Sequence, residues 1–367
     1  MTTIMLIFTM ALFFGSVGTP LARKIAIKSG FIASPKADRA HQEPTALMGG
    51  LAIYTAAIIA LLVIVFISSI VGNIFRLSEF ASIIIAASLM AALGLWDDRK
   101  ALPPWLKLIG QLIPAIIVFM AGVRISSLPV PATAYWGNAI RFIVTLAWIL
   151  YITNALNFLD NADGIAVMTS ATTSASFLLI AVLNGQQLVS VLAAAVLGAS
   201  LGFARYNLPL PKSTIFMGDS GSLFLGFLLA VLGIKIRIPG NAPEITWMVP
   251  IIVLALPIFD TALVYISRTR RGQSFFTGGV DHSTHRLSRY GLDKLSVALA
   301  VSLINGALGL IAIFVTQASK SEAYVVGISL VGLVLYALWQ LEFKASFWFR
   351  TGKEQVQLNP VSAEGKS

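Results

Sequence analysis

The chain has 367 residues, 57% hydrophobic and only 11% charged, with mean hydropathy +0.84 and a formal net charge of +10. A soluble domain covers itself with about a quarter charged residues, so a soluble fold is excluded, and on a lipid-embedded chain the basic excess sets orientation rather than engaging nucleic acid. With no cysteine in the chain, disulfides, cysteine-ligated zinc and thiol nucleophiles are excluded as well.

A hydrocarbon core about 30 Å thick takes roughly 17–25 apolar residues as helix. Segments of this kind fall at 4–19, 50–71, 80–96, 106–121, 140–158, 165–183, 188–204, 220–236, 247–266, 295–316 and 324–343. The first lacks a charged leader and a small-residue cleavage site and reads as a retained span. The fourth is short and holds Pro114. The expected fold is therefore an all-α polytopic membrane protein of about eleven transmembrane helices. Residues 1–343 form one integral membrane catalytic domain and 344–367 a polar cytoplasmic tail.

Eleven spans place the termini on opposite sides. Of the 26 Lys and Arg, only Arg76, Arg124, Arg141, Lys235, Arg237 and Lys320 fall in one set of loops. The richer set belongs in the cytoplasm, so the N-terminus is expected outside and the C-terminus inside.

Chemistry-bearing residues collect on the inner side. Asp97 and Asp98 close the third span; adjacent carboxylates beside lipid repel each other and require a cation or a proton. Neutralisation by Arg99 and Lys100 at a solvated helix end accounts for them equally well. Asn154, Asn157, Asp160 and Asp163 recur at a spacing of three, which on a helix makes one drifting polar stripe. A seam between packed helices would account for the two amides but not for two added acids, which point to a metal or a basic ligand. In Phe216-Met217-Gly218-Asp219-Ser220-Gly221-Ser222, Asp219 and Ser220 suit an ordinary helix cap. The cap is the stronger reading of this stretch alone; the functional alternative is a metal ligand, Asp219, beside free N–H groups that face a phosphate. Asp281, His282, His285 and Arg286 follow the basic run Arg268, Arg270 and Arg271 in the longest inner loop and suit an anion site. Acids for a hard cation and bases for phosphate are the parts of a phosphoryl-transfer site.

The order Asp-Asp, Asn-x-x-Asn-x-x-Asp-x-x-Asp-Gly, Phe-Met-Gly-Asp-x-Gly-Ser and a His-containing loop resembles the polyprenyl-phosphate N-acetylhexosamine-1-phosphate transferases. The likeness runs from about Pro35 to Leu292 and takes in Arg39-x-His41, Gly49-Gly50 and the stretch from Leu102 through Lys107 to Gln111. The resemblance implies transfer of a sugar-1-phosphate, GlcNAc-1-phosphate above others, from a UDP-N-acetylhexosamine to undecaprenyl phosphate. UMP is released and Mg²⁺ is required, with Mn²⁺ as an alternative ion. It implies a multi-pass protein of the bacterial cytoplasmic membrane whose site faces the cytoplasm, with a second copy of the chain as a compatible partner. Residue by residue, Asp97 deprotonates or positions the lipid phosphate with Asp98 beside it, and Asn157, Asp160 and Asp163 line the site. Asp219, with Asn157, holds the metal, and Phe216 lies against the uracil. Lys107, His282, His285 and Arg286 hold phosphates, and Asn154 and His41 complete the substrate-binding set. Asn161 stands where the family has Gly, Thr284 where it has His, and Ala46 and Leu47 where it has Pro and Arg. The sparse histidines favour the GlcNAc branch over the MurNAc-pentapeptide translocases. A phosphatidyltransferase pattern fails for want of Arg and further Asp after Gly164. A cation-coupled transporter is disfavoured by acids at the interface instead of the midplane.

Overall fold

The computed structural model describes residues 1–33, 45–71, 77–127, 135–274 and 279–344. In lipid every backbone N–H and C=O must be satisfied within the chain, which leaves helices as the spanning form for apolar segments of this length. All eleven predicted segments are helical. In chain order the helices are α1 (Thr2–Lys28), α2 (Gly49–Val71), α3 (Leu77–Arg99), α4 (Pro104–Met120), α5 (Tyr135–Leu159), α6 (Ile165–Leu183), α7 (Gln187–Asn207) and α8 (Gly218–Lys235). They continue as α9 (Pro243–Thr246), α10 (Met248–Val253), α11 (Ala255–Arg270), α12 (Ser283–Arg289), α13 (Lys294–Gln317) and α14 (Lys320–Trp339), ending in a π-helical turn, Gln340–Lys344. The sole sheet among the described residues is a two-residue hairpin, β1 (Ile32–Ala33) with β2 (Thr45–Ala46).

Among the described residues nine helices are long and apolar enough to cross a membrane. The single span expected at 247–266 is instead broken, α9–α10 meeting α11 at 69°. Pro257 causes the break: it has no N–H to offer the Val253 carbonyl, and its ring crowds that carbonyl, so the helix restarts after Leu254. At 17 residues, α4 is apolar but shorter than each of those nine.

The bundle is built around α8, which is buried at every residue from Ser220 to Ile234 and packs against α2, α3 and α5. On its flank α1 and α7 lie almost backbone to backbone. A Cβ on Gly202 would stand 2.6 Å from the Leu12 carbonyl, and one on Gly198 would strike that of Phe8, so this small-xxx-small stretch permits the approach. Asn305 of α13 donates to the Thr169 carbonyl and to the Thr172 and Thr173 hydroxyls of α6. By contrast α14 buries only Ala323.

Successive helices alternate in direction, so the ends of the bundle differ. At one end Lys235 pairs with Glu79, and Asn241 donates to the carbonyls of Val315, Thr316 and Ala318. At the other end gather the start of α8, the C-termini of α3, α5 and α11, and the N-termini of α4 and α13. All four polar clusters read from the sequence lie there.

Candidate active site

Asp98, in the last turn of α3, reaches across to the first turn of α8. Its Oδ1 accepts the Asp219 N–H at 2.7 Å and its Oδ2 the Ser220 N–H at 3.0 Å. Two conditions allow this. Gly94 lets α3 press against the Asp219 and Ser220 backbone, where any Cβ would collide. Gly218 takes φ +72° directly beneath the carboxylate, with room for no side chain: a Cβ would lie 2.7 Å from Asp98 Oδ2. A carboxylate on a helix N-terminus neutralises its unpaired donors and its dipole. The sequence reading that leaves these N–H groups free for a phosphate is therefore corrected at Asp219 and Ser220, whose donors Asp98 takes. The chain entering α8 is fixed from the other side too. Phe216 N–H donates to the Ala46 carbonyl, while the Phe216 and Met217 carbonyls accept from Gly49 and Gly50 at the start of α2.

Lys107, one turn into α4, stands at the centre. Its Nζ lies 2.8 Å from Asp97 Oδ2, 2.6 Å from Asp219 Oδ2 and 3.3 Å from Asn157 Oδ1. The Leu102 N–H fixes the other oxygen of Asp97 at 2.7 Å. Asn157 donates to Asp219 Oδ1 at 2.7 Å and to Ser222 Oγ at 2.8 Å. One turn up, Asn154 exchanges two hydrogen bonds with the fully buried Gln111, which lies one turn beyond Lys107 on α4. The stripe on α5 thus faces a matching stripe on α4.

The rest of that stripe goes elsewhere. Asp163 is buried, accepts from Ser213 Oγ at 2.9 Å and has Lys294 at 3.6 Å. Asp160 lies in the turn that ends α5. Neither touches Lys107, because α5 ends at Leu159 and the chain turns away at Gly164, whose N–H donates to Asn207. Asn161, which departs from the family pattern, accepts a hydrogen bond from Thr284, the other departure, at 2.6 Å and ties α5 to α12. His282 and His285 face one another with ring centroids 6.0 Å apart. Burial, then His282 and Arg289, hold the His285 imidazole below its ordinary value. At Asp281 burial pushes upward, but Arg271 and Arg268 outweigh it and hold the carboxyl below its usual range. Arg286 is buried, and its guanidinium is engaged within the protein by Glu342 Oε2 at 2.8 Å, Ser267 Oγ at 2.9 Å and the Asp281 and Leu341 carbonyls. That set of partners gives it a bracing position. Phe216 is half-buried at the entrance to α8, and His41 lies outside the described residues.

Sequence reasoning quoted Ser222 and Gln111 as motif members without giving them a role, and it missed Asp260, a carboxylate on α11 with no exposed surface. The signal for Asp260 was present: an acid inside an apolar span requires a partner.

Among the described residues no three Asp, Glu or His side chains converge as a metal cage. The donors that meet at Lys107 are all hard oxygens, two carboxylates and an amide, gathered around one positive charge. Mg²⁺ takes one or two carboxylates and fills its remaining positions from substrate phosphates and water. The residues present fit that ion.

The class that fold and site define is a helical, polytopic membrane protein with a lysine-bridged carboxylate site at one end of its bundle. Residues 80–237 match the family model described as glycosyl transferase family 4, and with 30% identity to a relative across 87% of both chains, this chain belongs to that family. That relative, from Bacillus subtilis (strain 168), is named "Probable undecaprenyl-phosphate N-acetylglucosaminyl 1-phosphate transferase". A decaprenyl-phosphate N-acetylglucosaminephosphotransferase of Mycolicibacterium smegmatis is 29% identical over 78% of this chain and 75% of its own. An undecaprenyl-phosphate alpha-N-acetylglucosaminyl 1-phosphate transferase of Yersinia pestis is 24% identical over 91% and 90%.

Proposed function

We propose that this protein transfers GlcNAc-1-phosphate from UDP-GlcNAc to a polyprenyl phosphate, undecaprenyl phosphate in the first instance, releasing UMP. The observation that carries this reading is Lys107 held between Asp97 and Asp219 at the start of α8. An oxygen of the lipid phosphate attacks the sugar-bearing phosphorus, and the bond to the UMP oxygen breaks. Asp97 takes the acceptor's remaining proton and aligns it, while Lys107 draws the phosphates between the carboxylates. Asn157, itself anchored on Ser222, holds Asp219 in place. Mg²⁺, held by Asp219 and Asn157, would neutralise charge on the pyrophosphate. Phe216 stacks on the uracil, and the His282–His285 pair lies on the donor-phosphate side. The kinship with relatives named for GlcNAc-1-phosphate transfer supports this donor over a MurNAc-pentapeptide.

The reading includes eleven spans, counting α4 and the bent α9–α11 unit, with the N-terminus outside and the site cytoplasmic in a bacterial inner membrane. The distribution of basic residues supports that orientation. The deciding experiment is UMP release by purified protein against a panel of UDP-sugars. UMP should form only with polyprenyl phosphate and Mg²⁺ both present, and fastest from UDP-GlcNAc. Release that is indifferent to the lipid would overturn the proposal.

A further inference from the structure

The Asp260 carboxylate is the most deeply buried acid that the proposed transfer leaves unused. It sits on α11 with none of its surface exposed. Burying a charge in an apolar span is costly unless every acceptor position is filled. Here three donors reach the two oxygens, all from one place. Ser283 donates its N–H at 2.7 Å and its hydroxyl at 2.6 Å to Oδ1, while His282 Nδ1 lies 2.8 Å from Oδ2. A carboxylate can only accept, so Nδ1 is the ring nitrogen that carries hydrogen. The other nitrogen, Nε2, has no hydrogen-bond partner among the described residues. The ring is held at the head of α12, whose next residue, Thr284, is tied to Asn161. Asn161 in turn lies four positions beyond Asn157, the residue that touches both Lys107 and Asp219.

We infer that Asp260 is a positioning residue that accepts from Nδ1–H and fixes the tilt of His282, so that the ring, carrying hydrogen on both nitrogens in the substrate complex, donates from Nε2 to an anionic phosphate. The inference rests on the proposed transfer for the identity of that phosphate, but not for the pairing itself. The hydrogen bond at one imidazole nitrogen decides what the other can do, and removing such a partner from a metal-bound histidine costs about 10- to 100-fold, the scale taken here for a phosphate-facing one.

The test uses the full chain with ¹⁵N-labelled histidine; the chain has three histidines, so His→Gln variants assign each signal. Without substrate, His282 should show a protonated, hydrogen-bonded Nδ1, and Asp260→Asn should move that signal. Ser283→Ala, which removes one donor to Asp260 and leaves the His282 contact, should keep it. In the transfer assay Asp260→Asn and His282→Ala should each lower kcat/KM by about 10- to 100-fold, mainly through KM for the UDP-sugar. The double variant should be no worse than His282→Ala alone, because Asp260 acts only through that ring. A bare Nδ1 in the wild type overturns the inference, as do additive losses in the double variant or near-normal kcat/KM in Asp260→Asn. The wild-type spectrum decides the pairing even where Asp260→Asn does not fold. If the wild type transfers nothing from any UDP-sugar, the functional proposal falls while the spectra still decide the pairing.

Discussion

At the scale of the residue, Asp97 and Asp98 are adjacent yet do different work. Asp97 points to Lys107, whereas Asp98 caps α8. Asp98→Asn keeps one of the two backbone N–H groups on its oxygen and puts an amide N–H against the other, since Asn offers only one acceptor atom. Loss of a charged cap of this kind costs about 1–3 kcal/mol. We expect a lower thermal midpoint together with reduced transfer, because Asp219 rides on the same turn; an unchanged midpoint would refute the capping role. Lys107→Met has a different signature. It leaves Asp97 and Asp219 as facing carboxylates with no cation between them, so transfer should fall by about 100-fold or more. Added Mg²⁺ should raise the thermal midpoint of this variant more than that of the wild type, and equal shifts would remove Lys107 from the centre of the site. The sequence made the pair visible as costly acids near lipid. It could not assign their separate tasks, because the contact of Asp98 is with a helix start 121 positions away.

At the scale of the element, α12 carries a pH dependence. His285 is held below the ordinary imidazole value of about 6.5, so the folded chain binds fewer protons there than the unfolded chain. Its contribution to stability is present above that ordinary value and declines as pH falls toward the lowered one. Asp281 is also depressed, but its window lies below the ordinary carboxylate range and does not overlap that of His285. The thermal midpoint should therefore drop between pH 7 and pH 5.5, and His285→Gln should flatten that drop; an equally steep profile in the variant would exclude His285 as the source. Elements were the most legible level of the sequence, since lipid forces an apolar run into helix. Less legible was the break before α11. Pro257 announces it, yet a proline in a span fixes neither the angle nor whether neighbouring helices absorb it. The stripe from Asn154 to Asp163 was legible as polar, but its division between Lys107 and Ser213 depends on where α5 stops.

At the scale of the whole molecule, the direction of insertion can be read directly, because the chain has no cysteine to interfere. Ser288→Cys lies at the site end and Ser319→Cys at the opposite end, and both positions are exposed. With an impermeant maleimide on intact cells, Ser319→Cys should label and Ser288→Cys should label only after permeabilisation; the reverse pattern would invert the orientation. The alternation of helix directions that places four clusters at one end follows from each span crossing the bundle before the next begins. It is the part of the site's assembly that the order of motifs along the sequence already contained.

The last helix adds a mechanical consequence. Almost unburied along its length, α14 returns to the site end, where the π-helical turn after it delivers Glu342, which pairs with Arg270 at 2.6 Å and Arg286 at 2.8 Å. It acts as a guy-line, slack in the middle and made fast at its foot, with the histidine-bearing loop on the other side of the knot. Glu342→Gln should therefore raise proteolysis and hydrogen exchange in 279–291 while leaving the Lys107 centre intact, an outcome read by exchange mass spectrometry. Shortening the chain ahead of Glu342 would untie a loop whose own residues had not been touched.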